Sequence, residues 1–233
     1  MSEAATDGVE NRRYLTAYVL PFAIFMVMTA IEGRAELQQH YPVVYTAKIV
    51  LISLAIAFGW KRWPAFEKRG LLFGLLLGAV GLPVWVALSR IDLAAMLPEA
   101  IGGYLSSSRT GFDPKNVSCE PCRYSFIAIR LFGLALVVPL MEELFWRGFL
   151  IRFLVSEPFQ RVPMGTYTPM SFAVVTLLFV AAHPEILAAL VWGAAINLLF
   201  YRSKNLWACV VMHMTTNALL GVYILWTGSW GLW

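Results

Sequence analysis

An all-α, polytopic membrane bundle is what this sequence predicts, and three observations predict it. Of its 233 residues 59% are hydrophobic and only 14% charged. Mean hydropathy is +0.68, far outside the balance of a water-soluble domain. Apolar runs near the roughly 20 residues needed to cross a hydrocarbon core recur along the chain, about seven of them (six to eight), and they leave no room for a separate soluble domain.

The elements follow in order. Residues 1 to 13, MSEAATDGVENRR, are polar and of mixed sign, which predicts a short disordered tail. Residues 14 to 233 then form a single membrane domain. Its first apolar run, Tyr14 to Ile31, exceeds a signal-peptide core and is expected to remain as the first span. Further spans are expected at 42 to 60, 70 to 88, 125 to 155, 170 to 183, 186 to 201 and 205 to 226. Residues 89 to 124, rich in Gly, Pro and Ser, are expected as an outer loop or lid.

Charge sets the expected orientation. The loop from Lys61 to Arg69 carries Lys61, Arg62, Lys68 and Arg69, the signature of a cytoplasmic connection. Counting spans from it puts the N-terminus in the cytoplasm with Arg12 and Arg13, and Arg147, Arg152, Arg161, Arg202 and Lys204 toward the same side. The formal charge of +4 therefore reports topology, and nucleic-acid binding has no support. The lipid bilayer is the expected surrounding, a bacterial inner membrane the expected location.

Ionisable groups inside spans mark function more often than they would in water. They are few: Lys48, Arg130, the cluster Glu142, Glu143 and Arg147, then His183, His213 and Asn217. Helical geometry separates Glu142 and Glu143 by about 100°, so they serve different ends. Glu143 and Arg147 stand four apart and can neutralise each other. Glu142 is left without a local counter-ion, the setting of a candidate general base. The bland reading makes all three a helix-packing ion network. His213 and Asn217 share one helical face, and His183 ends its span before Pro184, which suits the first turn of a new helix. At 1.5 Å per residue, Glu142 and His183 each lie about 20 Å, His213 about 12 Å and Asn217 about 18 Å from the inner ends of their helices. A single buried polar site beneath the cytoplasmic surface is thus expected.

Glu142-Glu143-x-x-x-Arg147, Phe179-x-x-x-His183 and His213-x-x-x-Asn217, in that order on successive spans, resemble the CPBP family. This family comprises type II CAAX prenyl proteases, bacteriocin-processing and immunity proteins, and glutamic-type intramembrane proteases. The resemblance covers residues 125 to 226, a CPBP-like catalytic core. RTGFDP (Arg109 to Pro114), EELFWRGFLIRFL and TGSWGLW further resemble the exosortase/PEP-CTERM-associated subgroup. The resemblance implies a hydrolase in which Glu142 and His183 activate a water against a peptide bond, with His213 and Asn217 as the oxyanion hole. It implies supporting places for Glu143, Arg147 and Phe179, and a membrane-anchored protein or peptide as substrate, in C-terminal sorting-signal processing. Apart from the resemblance, Arg130 near the outer end of its helix is expected either to snorkel or to anchor the lid or a substrate carboxylate. No cofactor is expected, and the oligomeric state is left open.

Other chemistries stand beside this one. Glu142, His183 and His213 form a two-histidine, one-carboxylate set suited to zinc, so a metal-dependent variant is the nearest rival. Cys209 lies four residues before His213 and suggests a thiol nucleophile or buried filler. Cys119-x-x-Cys122 suggests a local disulfide or two reduced thiols. A non-catalytic immunity or sorting scaffold that binds peptides would use the same polar cavity, and a transporter lacks the internal repeat such folds carry.

Overall fold

The computed structural model describes residues 3–91, Leu93, Met96 and 111–233. Most of the expected lid, and the Arg109–Thr110 start of RTGFDP, lie outside the described residues. Among the described residues, seven helices longer than ten residues occur: α1 (Glu3–Glu32), α2 (Tyr41–Gly59), α3 (Leu71–Ser89), α4 (Glu120–Phe153), α5 (Pro169–Ala181), α6 (Ile186–Ser203) and α7 (Leu206–Thr227). No strand occurs among the described residues. All but α5 are long and apolar enough to cross a membrane, so the fold is a polytopic helical bundle.

Two differences from expectation have physical causes. Helix α1 begins at Glu3 and takes in residues expected as tail, because Glu, Ala and Arg propagate a helix once an apolar segment anchors it. Helix α5 has only 13 residues, about 20 Å of rise, and stops short of a full crossing where His183 and Pro184 break it. Thr168 caps its start by accepting from Ser171 N. Asn205 caps α7 by accepting from Trp207 N. Each cap satisfies a donor that hydrocarbon would leave unpaired.

Helix α4 is one continuous run of 34 residues interrupted twice by wider π turns, Gly133–Val137 and Leu144–Leu150. Pro139 sits just beyond the first and cannot donate to the helix ladder. The wider turn absorbs that missing bond, and such turns are frequent at functional sites. Glu142 and Glu143 lie in the α-helical segment between them, Val138–Glu143.

Helix α3 is apolar all round, and its buried residues are Gly74, Gly78 and Gly81. A Cβ would stand 2.3 Å from Ala208 O at Gly74, and 2.5 Å from Met212 O at Gly78. Backbone of α3 therefore rests directly on backbone of α7, the small-residue contact that apolar solvent favours. Thr216 Oγ1 donates to Gly78 O at 2.9 Å, tying the two helices at the level of His213 and Asn217. Leu72, Phe73, Leu76 and Val80 on the remaining faces are exposed, as a lipid-facing helix requires.

The bundle has two distinguishable ends. At one, Asn205 Nδ2 donates to Glu67 O and Arg69 O, Trp207 Nε1 to Ala65 O, and Tyr18 Oη to Arg62 O. The basic Lys61–Arg69 connection is thereby bound to the α6–α7 turn. At the other, Phe112 stacks on Tyr41, and Gly111 lies where any Cβ would meet the carbonyl of Trp230.

Candidate active site

Glu142 on α4, His183 in the break after α5, and His213 and Asn217 on α7 line one cavity of about 630 Å³. Phe179, Trp146 and Trp192 complete its inner wall. This volume lies within the range of ligand pockets.

Glu142 is 6% exposed, and its Oε2 is sealed without a hydrogen-bond partner. No described residue pairs with it, so the isolated acid expected from the helical wheel is present. Its neighbour is held through one oxygen, Glu143 Oε1, while Glu143 Oε2 and Arg147 Nη2 are buried without a hydrogen-bond partner among the described residues. Glu143 and Arg147 are 0% exposed, and Arg147 Nη1 donates to Glu143 Oε1 at 3.0 Å. The i, i+4 pair forms as spacing predicted, and it is one link of a longer chain. Arg147 Nε donates to Asn197 Oδ1 at 3.0 Å, and Asn197 Nδ2 donates to Thr176 Oγ1 at 3.0 Å. The guanidinium also lies 5.3 Å from the Phe179 ring centroid, a cation–π contact in a water-poor setting.

Each histidine has a defined hydrogen-bond orientation. His183 Nδ1 lies 2.8 Å from Phe179 O. A carbonyl only accepts, so Nδ1 carries the hydrogen and Nε2 is the ring's acceptor in the neutral form. The ring stacks on Phe179 at 4.2 Å between centroids. His213 Nδ1 lies 2.9 Å from Glu143 Oε1, and Trp192 holds its ring edge-on at 4.6 Å. Glu143 thus accepts from Arg147 and His213 through the same oxygen. Asn217 Nδ2 donates to Leu134 O at 3.0 Å, inside the first π turn, and keeps its second hydrogen for the cavity.

Sequence reasoning found the four cavity residues and the Glu143–Arg147 pair, yet missed three contributors. Asn197 is fully buried, and a carboxamide in the middle of an apolar span was the available signal. Trp192 carried no sequence signal of its own, yet its Nε1 donates to Thr216 Oγ1 at 3.3 Å. Glu32 closes α1 beside Lys48 and Arg130. Lys48 Nζ forms an ion pair with its Oε2, and Arg130 Nη1 lies 3.8 Å from its Oε1. Arg130 Nη1 also donates to Tyr41 Oη, and its guanidinium lies 4.4 Å from the Tyr45 ring centroid and 5.3 Å from that of Trp233. This second charged group lines the same cavity as Glu142.

The position of the opening corrects the sequence-based expectation. The cavity was expected beneath the end bearing Lys61–Arg69, but no residue of that connection lines it. Gly33, Gln38, Phe112, Pro184 and Trp233 do, and all of them lie toward the opposite end. Counting from helix ends set the four residues at a common level, as lining one cavity requires, but could not say from which end solvent reaches them.

Cys209 lies outside the cavity lining. It is fully buried, with Sγ directed at Ile196 O, 3.7 Å away. Cys119 and Cys122 form a disulfide at the start of α4. Among the described residues, no group of three His, Cys, Asp or Glu side chains is arranged to hold a metal ion.

Comparison with known families places a likeness on this same region. Residues 124–219 match the family described as type II CAAX prenyl endopeptidase Rce1-like. The matched segment is less than half of the chain and contains all four cavity residues together with Glu143, Arg147 and Phe179. No curated protein and no solved structure matches the chain.

Proposed function

We propose that this chain is a glutamate-dependent intramembrane endopeptidase of the CAAX-protease kind, hydrolysing a peptide bond of a membrane-associated protein. One observation carries the reading. Glu142 is a buried carboxylate with no described partner, in a cavity shared with His183, His213 and Asn217. The likeness of residues 124–219 to a peptidase family points the same way.

The chemistry follows from what each atom can donate or accept. A water between Glu142 and His183 gives one hydrogen to the carboxylate and the other to His183 Nε2, which turns its oxygen lone pair toward a substrate carbonyl. Attack generates an oxyanion. Asn217 offers its second N–H to that oxyanion, and Leu134 O fixes the amide plane from behind. His213 donates from Nε2 only when both ring nitrogens carry hydrogens, because Nδ1–H is already committed to Glu143. Glu143 accepts from Nδ1 and orients the ring, and Arg147 holds Glu143 in place. Donors aimed where charge develops in a water-poor site lower a barrier by several kcal/mol. Glu142, protonated by the first step, then returns the proton to the leaving amine.

Arg130 is the proposed substrate-binding residue. It is 7% exposed, and its Nε and Nη2 donate to no described residue. Lys48 and Arg130 flank Glu32, and the donors that Arg130 keeps, Nε and Nη2, suit an anionic group of a substrate. Arg130 precedes Glu142 by twelve residues on α4, about 18 Å of helix. An extended peptide covers that distance in about five residues. A carboxylate on the substrate that far from the scissile bond meets Arg130.

The reading is tested by incubating purified protein with membrane-anchored candidate substrates and apolar peptides. Wild type is compared with Glu142→Gln, His183→Ala and His213→Ala, and products are identified by mass. Cleavage by wild type and none by Glu142→Gln is expected. Undiminished cleavage by Glu142→Gln removes Glu142 as the base. Peptide binding without cleavage by wild type favours a non-catalytic sorting or immunity scaffold, and activity restored by zinc after chelation favours the metal-dependent variant.

A further inference from the structure

We infer that the cavity opens on the non-cytoplasmic face of the membrane, so that the peptidase proposed above acts on polypeptide segments already translocated across it. The inference rests on that catalytic reading for the word substrate, but its evidence is independent of the chemistry.

Three features converge on it. First, basic residues divide unequally between the two ends of the bundle. Tracing the helices in order puts ten of the 18 Lys and Arg at the end that carries Lys61–Arg69, Arg161 and Lys204. Among the described residues, four (Arg34, Arg90, Lys115 and Arg123) belong to connections at the other. Short loops rich in Lys and Arg stay in the cytoplasm, and the contacts of Asn205, Trp207 and Tyr18 show that the basic connections form one surface. Second, the disulfide Cys119–Cys122 lies at the opposite end. Disulfides persist in oxidising compartments and are rare in the cytosol, so this end faces outward by a criterion unrelated to charge. Third, the cavity is lined from that same end. Gly33, Gln38, Gly111, Phe112 and Trp233 surround it there, while no residue of 60–70, 154–168 or 204–205 does.

Solvent paths complete the argument. At the basic end, Phe159 is buried against Tyr18 and Phe149. Arg152 closes the connection below by donating to Val162 O at 2.8 Å and Gly148 O at 2.9 Å. Ile151, Leu206 and Ala208 pack there with almost no exposure. A hydrolytic water arriving from the cytoplasm would have to cross this layer. At the other end the described residues that border the cavity include the polar Gln38, Arg130 and Lys48. A substrate chain follows the same route, entering beside Arg130 and reaching Glu142 about 18 Å deeper.

The experiment is orientation mapping of the full chain in native membranes, joined to sidedness of cleavage. Gln39→Cys at the cavity end and Ala65→Cys in the basic connection are both exposed positions. Cys119 and Cys122 are bonded to each other and Cys209 is buried, which keeps the background low. A membrane-impermeant maleimide applied to right-side-out vesicles is expected to label Gln39→Cys at least tenfold faster than Ala65→Cys, and inside-out vesicles are expected to reverse the ratio. The opposite pattern overturns the inference. In parallel, a fluorogenic peptide carrying a sulfonated dye is expected to be cut by right-side-out vesicles only. Cleavage confined to inside-out vesicles also overturns the inference. Should neither preparation cut any peptide while labelling gives the expected pattern, the orientation stands and the peptidase reading falls.

Discussion

His213 Nδ1 and Glu143 Oε1 stand 2.9 Å apart, and this contact makes the second glutamate of the pair a positioning residue for the last helix. A carboxylate beside Nδ1 selects the tautomer with its hydrogen there and fixes the plane of the ring. Glu143→Gln retains the volume but presents an amide that can donate as well as accept, so the ring is no longer held in one state. The expected result is a fall in kcat of about 10²-fold or more with little change in KM, by analogy with the carboxylate of a catalytic triad. Removing the partner of the fully buried Arg147 also costs about 3–5 kcal/mol of stability. Steady-state kinetics with a thermal melt separate the two effects, and a KM change without a kcat change would show a different role.

Glu142→Gln is expected to separate activity from stability in the opposite sense. The wild-type carboxylate is buried without a described partner, a cost to folding that a neutral amide lessens. Cleavage should disappear while the melting temperature in detergent stays level or rises. A large drop in melting temperature would show that Glu142 holds the fold together instead.

Arg130 is expected to discriminate by charge. Peptides ending in a free carboxylate, or carrying Glu about five residues beyond the scissile bond, should bind the Glu142→Gln protein about tenfold tighter than amidated neutral ones. Adding Arg130→Gln should erase the difference and Arg130→Lys should keep part of it, because Lys supplies charge without the fork geometry. Fluorescence anisotropy with labelled peptides measures this without cleavage. Equal affinity for carboxylate and amide in the Glu142→Gln protein would rule out the anion subsite.

Gly78→Leu is expected to break the α3–α7 contact. Its Cβ would fall 2.5 Å from Met212 O, backbone that has no side-chain freedom with which to yield. Overpacking of this kind costs about 1–3 kcal/mol or more. It should lower both melting temperature and activity, since Met212 neighbours His213. An unchanged melt would show that α3 slides freely over α7.

Cys209→Ala is expected to leave cleavage intact, because the thiol faces Ile196 O and lies outside the cavity lining. Loss of activity with an unchanged melt would restore the thiol chemistry.

Much of this molecule was legible in the residues alone. Hydrocarbon tolerates few spanning architectures, so composition and run length located all seven helices to within a few residues, apart from the early start of α1. Ionisable groups are so costly in that medium that Glu142, Glu143, Arg147, His183, His213 and Asn217 stood out without any coordinates. Helical periodicity paired Glu143 with Arg147, because that contact is local. It could not place Asn197 against Arg147 or Glu143 against His213, since partners 50 and 70 residues apart meet only once helices have chosen their neighbours and rotation. That choice depends on backbone contacts such as Gly78 on Met212, where the absence of a side chain is the determinant. The side from which the cavity is lined was likewise settled by packing: Phe159, Arg152 and their neighbours fill the basic end of the bundle, whereas Gln38, Lys48 and Arg130 border the cavity toward the other.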